Sequence, residues 1–153
     1  MIMKVWLYRM ADKWNIFLDV DGVLNREADW ARPWTLNRSC MVEFGKYLRR
    51  LQEKAEVRIF LSSSWRKGFS TYERCSPQVE DLKRALAPYG VRIYGKTEEG
   101  ADRGQEIGRF IKMHHLNPAS CIVIDDDKSL FEAPLPAGCK TIWINAVKGF
   151  VAG

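Results

Sequence analysis

Asn15-Ile16-Phe17-Leu18-Asp19-Val20-Asp21-Gly22-Val23-Leu24-Asn25 runs from an apolar segment straight into two carboxylates and a glycine. Residues 15–20 have no polar alternation, which marks a strand buried on both faces, as in a parallel sheet. Asp19 and Asp21 are two apart, so an extended chain aims both at one pocket, and Gly22 lets the backbone turn at once. An EF-hand starting at Asp19 needs an oxygen ligand at its fifth position and Glu at its twelfth; Val23 and Trp30 stand there, which excludes it.

Working outward, apolar runs alternate with amphipathic ones. Met41, Phe44, Leu48 and Leu51 fall on one face of a helix over residues 39–54, and 57–62 reads as a second buried strand. Ser76 as cap and Pro77 at the first helical position open a helix to Ala87, which Gly90 closes. A third strand is expected at 91–94, a helix after the cap Asp102, a fourth strand at 121–124 and a fifth at 141–144. This order implies right-handed crossovers and a three-layer α/β sandwich with a mainly parallel sheet. Ligands of such sheets bind beyond the carboxyl ends of the strands.

Every chemically suggestive cluster falls at such an end. Asp125-Asp126-Asp127 leaves the fourth strand. Alone it would be an ordinary capped turn. Beside a second pair of carboxylates, the mutual repulsion calls for a hard cation, and an oxygen-only donor set favours Mg²⁺ over zinc. Ser62-Ser63-Ser64-Trp65-Arg66 leaves the second strand. A serine run is common turn chemistry, yet Ser62 or Ser63 with free backbone N–H groups can also cradle phosphoryl oxygens, and Arg66 adds a fork matched to phosphate. Lys96 and Arg103, flanking the polar loop before the next helix, both offer a cation to neutralise the acids and a bound phosphate, and the residues do not choose between them.

Composition bounds the rest. The 153 residues suit one domain, expected to span 1–153, and a chain of this size buries roughly 68–70% of its unfolded surface. No apolar run reaches the ~20 residues of a membrane span. Lys4 and Arg9 interrupt the apolar N-terminus and no small-residue cleavage site follows, so the reading is a cytoplasmic protein with no membrane partner. Residues 2–9 themselves look strand-like. Cys40, Cys75, Cys121 and Cys139 are widely spaced, so free thiols are expected. The net charge of +5 is confined to residues 26–74, where Trp30, Trp34, Tyr47, Trp65 and Tyr72 are interspersed. Bases with aromatics suit a phosphate backbone and stacked bases, and equally a solvated helix face over core aromatics.

In this order, DVDGVLN, a strand ending in Ser, a basic residue before a helix and a strand ending in DD resemble the four motifs of the haloacid dehalogenase-like (HAD) phosphohydrolases. More narrowly, FLDVDGVLN with LSSSWR, RGQEI and IDDD resembles the HAD domain of the Swiss Army Knife RNA repair proteins. The resemblance spans residues 15–127. It implies Asp19 as nucleophile, Asp21 as general acid and base, and Mg²⁺ held by Asp19, the Asp21 main-chain carbonyl and Asp125, with Asp126 supporting it directly or through water. It implies Ser62 on a phosphoryl oxygen, with Ser63 as the alternative. The third motif departs from the pattern, with Arg103 where many members carry Lys.

Many such enzymes close a cap over small substrates, inserted after the first or second motif. Neither interval here has room for a sizeable lid, so the site should stay open, able to admit a polymer end. The expected activity is therefore a Mg²⁺-dependent phosphatase of terminal RNA or DNA phosphates. The rivals are a phosphatase of small nucleotides or phosphoproteins, and a non-catalytic nucleic-acid-binding module with a vestigial site.

Overall fold

The computed structural model describes residues 13–153; the strand-like reading of 2–9 lies outside the described residues. Five strands, β1 (Lys13–Leu18), β2 (Glu56–Leu61), β5 (Arg92–Lys96), β6 (Cys121–Asp125) and β7 (Lys140–Trp143), form one sheet in the order β5-β2-β1-β6-β7. All four neighbouring pairs are parallel, with Ile16 in register with both Ile59 and Ile122. Parallel strands need crossovers, and α1 (Arg38–Gln52), α2 (Pro77–Leu86) and α3 (Arg103–Met113) supply them.

The pleat sorts β1 between two cores. Ile16 and Leu18 face Met41, Phe44 and Leu48 of α1 and Val79, Leu82 and Leu86 of α2. Phe17 faces the other way, onto Ile107 and Ile111 of α3. Helices thus cover both faces, which makes the expected three layers. All three helices start on capping side chains, Asn37, Ser76 and Asp102, each accepting from a backbone N–H in the first turn.

The breaker-rich stretch after β2 holds a small antiparallel hairpin, β3 (Phe69–Thr71) with β4 (Arg74–Cys75). Strands this short are below the length at which alternation can be read. The four cysteines are free. Among the described residues no helix is long and apolar enough to cross a membrane.

Candidate active site

Because β1 and β6 are neighbours, Asp19 and Asp125 meet at the carboxyl edge of the sheet. The Asp19 N–H donates to the Ile124 carbonyl at 3.0 Å, extending the ladder one residue past β1. Asp125 is the last residue of β6 and is 1% exposed, Asp19 is 6% exposed, and Asp126 follows half-buried. One carboxylate oxygen from each of Asp19, Asp125 and Asp126 lies within 4.8 Å of the others. Asp127 turns away and caps its own turn, accepting from the Ser129 N–H at 3.0 Å.

This crowding has a charge cost. Burial first, then the charge of Asp125 and contact with Asp126, push the Asp19 carboxyl well above its ordinary value. Burial also raises Asp125, against the pull of Arg103. The set fits a hard divalent cation: the donors are all oxygen, they converge, and without added positive charge the two buried acids resist ionising together.

Arg103, the first residue of α3, is the cation that enters the cluster. Its Nη1 donates to Asp125 Oδ2 at 2.8 Å and lies 3.5 Å from Asp19 Oδ1. Burial lowers the Arg103 pKa and the two carboxylates raise it, and the carboxylates prevail. Gly104 lets α3 come this close, since a Cβ there would overlap the Ala133 carbonyl oxygen.

Arg66 and Lys96 do not join it. The Arg66 fork, expected to face phosphate, is taken by Glu106, with Nη1–Oε1 at 2.9 Å and Nη2–Oε2 at 3.1 Å, and Nη1 also reaches Thr97 Oγ1 at 3.0 Å. Lys96 Nζ donates to the Arg66 carbonyl at 3.3 Å. The reason is local: Glu106, one turn after Arg103 on α3, is buried and must be neutralised, and Arg66 is the cation in reach. Glu106 stands in the RGQEI stretch, but nothing in its spacing assigns it this partner.

The serines divide their roles. β2 ends one residue earlier than expected, at Leu61, so Ser62 is the first residue beyond it. Ser63 Oγ caps the following 3₁₀ turn by accepting from the Trp65 N–H at 3.0 Å. Ser62 Oγ is buried and has no hydrogen-bond partner among the described residues. A buried hydroxyl left unpaired calls for a missing partner.

Asp21 is held by Asn25 and Trp65, residues of the quoted motifs to which the sequence assigned no role. Its Oδ1 accepts from Asn25 Nδ2 at 2.9 Å and from Trp65 Nε1 at 3.1 Å. Asn25 in turn accepts, on Oδ1, from the Gly22 N–H at 2.8 Å and from Trp30 Nε1 at 2.9 Å. The Asn25 signal was the i+4 spacing inside the opening motif; the Trp65 contact, across 44 residues, left no local signal. Gly22, at φ +83°, is tight against Asp126, whose carboxylate a Cβ would overlap.

A search among curated proteins finds no match. The profile of the family described as "HAD domain in Swiss Army Knife RNA repair proteins" matches residues 15–151, from the middle of β1 to past β7. With a parallel sheet that carries an acid cluster at its carboxyl edge, and with that match over almost all of its length, the chain belongs to this HAD family.

Proposed function

We propose that this chain is a Mg²⁺-dependent phosphomonoesterase that works through an aspartyl-phosphate on Asp19 and acts on terminal phosphates of RNA or DNA. The observation that carries it is the convergence of Asp19, Asp125 and Asp126 with Arg103 beside an unpaired Ser62 hydroxyl. Asp19, Asp125 and the Asp21 carbonyl would hold Mg²⁺, with Asp126 supporting it directly or through water, and the ion would supply positive charge to offset repulsion between carboxylate and phosphate.

The chain's own residues carry the steps. An Asp19 carboxylate oxygen attacks phosphorus, and the bond from phosphorus to the leaving oxygen breaks. Both donors to Asp21 fall on Oδ1, which leaves Oδ2 to carry the proton that the leaving oxygen takes. Asp21 then accepts a proton from the water that attacks the phospho-enzyme, which frees phosphate and restores Asp19. Ser62 Oγ donates to a phosphoryl oxygen, and Arg103 draws the buried acids towards their charged form against the opposing effect of burial.

The polymer end as substrate rests on the open strand ends and on the basic residues near them. The two intervals in which a cap could be inserted hold only short segments among the described residues, the loop from Val20 to Asn37 and the β3–β4 hairpin. Phosphate release is measured with Mg²⁺ on 3′- and 5′-phosphorylated oligonucleotides, a mononucleotide and a phosphopeptide. The oligonucleotides are expected to be the best substrates. Preference for the mononucleotide or phosphopeptide overturns the substrate; oligonucleotide binding with no release of phosphate from any of them overturns the enzyme.

A further inference from the structure

Beside Asp21, outside the acid cluster, is an open cleft of about 300 Å³ lined by Asp21, Asn25, Trp30, Arg32, Pro33 and Trp34. Its volume is at the small end of the range of about 300–1,000 Å³ for ligand pockets. Trp30 and Trp34, 45% and 44% exposed, both line this cleft, and exposed apolar surface rimmed by polar residues marks ligand-binding grooves. Trp30 does not expose its polar edge: its Nε1 is turned inward onto Asn25 Oδ1, so the ring is what solvent meets. Trp34 has φ +64°, a left-handed backbone that a bulky side chain rarely adopts, and its ring is set edge-on against Trp65 at 5.5 Å. Trp65 donates to Asp21. Both exposed rings are therefore fixed to the residue on the leaving-group side of the reaction, and Arg32 adds a cation at the same mouth.

We propose that this cleft is a stacking subsite for the unpaired nucleobase of the terminal nucleotide whose phosphate is removed. This rests on the phosphatase reading, which makes Asp21 the donor to the leaving oxygen, and it adds what the leaving group must carry. The occupant is argued from the site: flat π faces suit a base, the Arg32 fork suits the next phosphodiester, and a paired base would be shut out by its partner strand. The enzyme thus selects single-stranded ends.

The test is the intact chain with single-stranded oligonucleotides of one length that carry the terminal phosphate on either a normal or an abasic residue. Binding is read by quenching of indole fluorescence in the Asp19→Asn background, and turnover by phosphate release. Base-bearing ends should bind about 5- to 150-fold more tightly than abasic ends, the effect of one stacked base. Trp34→Gly, which removes the ring and suits the positive φ, and Trp30→Leu should collapse that preference towards one. The preference ratio is the readout because a merely structural loss lowers both arms together. A ratio near one in the unmutated cleft, or a ratio untouched by both substitutions, overturns the subsite, as does tighter binding of a phosphotyrosyl peptide. Base-dependent binding without turnover in the Asp19 protein leaves the subsite standing and overturns the phosphatase instead.

Discussion

Asp19 occupies a burial that its own charge opposes, and that conflict is measurable without substrate. Its folded-state pKa lies above its ordinary value of 3.8, so the metal-free folded protein holds the proton to higher pH than the unfolded chain does. Stability is then unaffected well below pH 3.8 and declines as pH rises through the folded value. In metal-free protein Asp19→Asn should therefore melt higher than the parent at pH 7, with the gap closing towards pH 4, while phosphatase turnover is abolished. Thermal melts across pH with a chelator present check this; an equal gap at both pH values refutes the burial conflict. Asp21→Asn should lower turnover by a factor of about 10² to 10⁴, the size of an acid–base step, and leave the melting temperature nearly unchanged. Ser62→Ala removes a buried hydroxyl that has no partner in the fold, so kcat/KM should fall with no loss of thermal stability. A destabilised Ser62→Ala protein with full activity would make the hydroxyl structural.

At the scale of elements, the loop between β5 and α3 decides where Arg103 points. Glu106 ties that loop down, accepting from the Gly100 N–H at 2.8 Å as well as from Arg66. The Arg66–Glu106 side chains are 12% and 7% exposed, and breaking a buried pair from one side costs about 3–5 kcal/mol because a charge is left stranded. Glu106→Gln should thus lower the melting temperature by roughly 2–4 °C for each kcal/mol lost, and Arg66→Met with Glu106→Leu should regain most of it. If the double variant is as unstable as the single, the stranded charge is not the cause. Gly104→Ala presses α3 away from the Ala133 carbonyl and should cost about 1–3 kcal/mol, read by urea unfolding.

Over the whole molecule, the fold splits the basic stretch that looks continuous in sequence. α1 starts at the carboxyl edge of the sheet and runs back along it, so Arg38, its first residue, stands at that edge and Arg49 and Arg50 fall in its last turn. Arg50 shares a cavity with Trp14 and Lys140, at the amino ends of β1 and β7, opposite the acid cluster. Residues 26–74 therefore do not border the opening as one continuous basic patch. Neutralising Arg32 and Arg38 should weaken oligonucleotide binding and flatten its salt dependence, whereas neutralising Arg49 and Arg50 should do neither. Salt titrations of the two double variants decide it, and equal loss in both would mean that the charge acts as a diffuse field.

The sequence by itself determined the strand-and-helix alternation, because hydrophobic period and caps are local properties, and it put Asp19, Ser62 and Asp125 at strand ends within a residue or so. It also named the two candidate cations, Lys96 and Arg103, but it could not choose between them. The tertiary structure chose: the sheet order β5-β2-β1-β6-β7 sets β6 beside β1, which brings Asp125 to Asp19 from over 100 residues away and puts the α3 start above both. The same packing turned Arg66 to Glu106 and joined Trp65 to Asp21. Such contacts depend on which buried charges and rings end up adjacent, and spacing along a chain does not encode that.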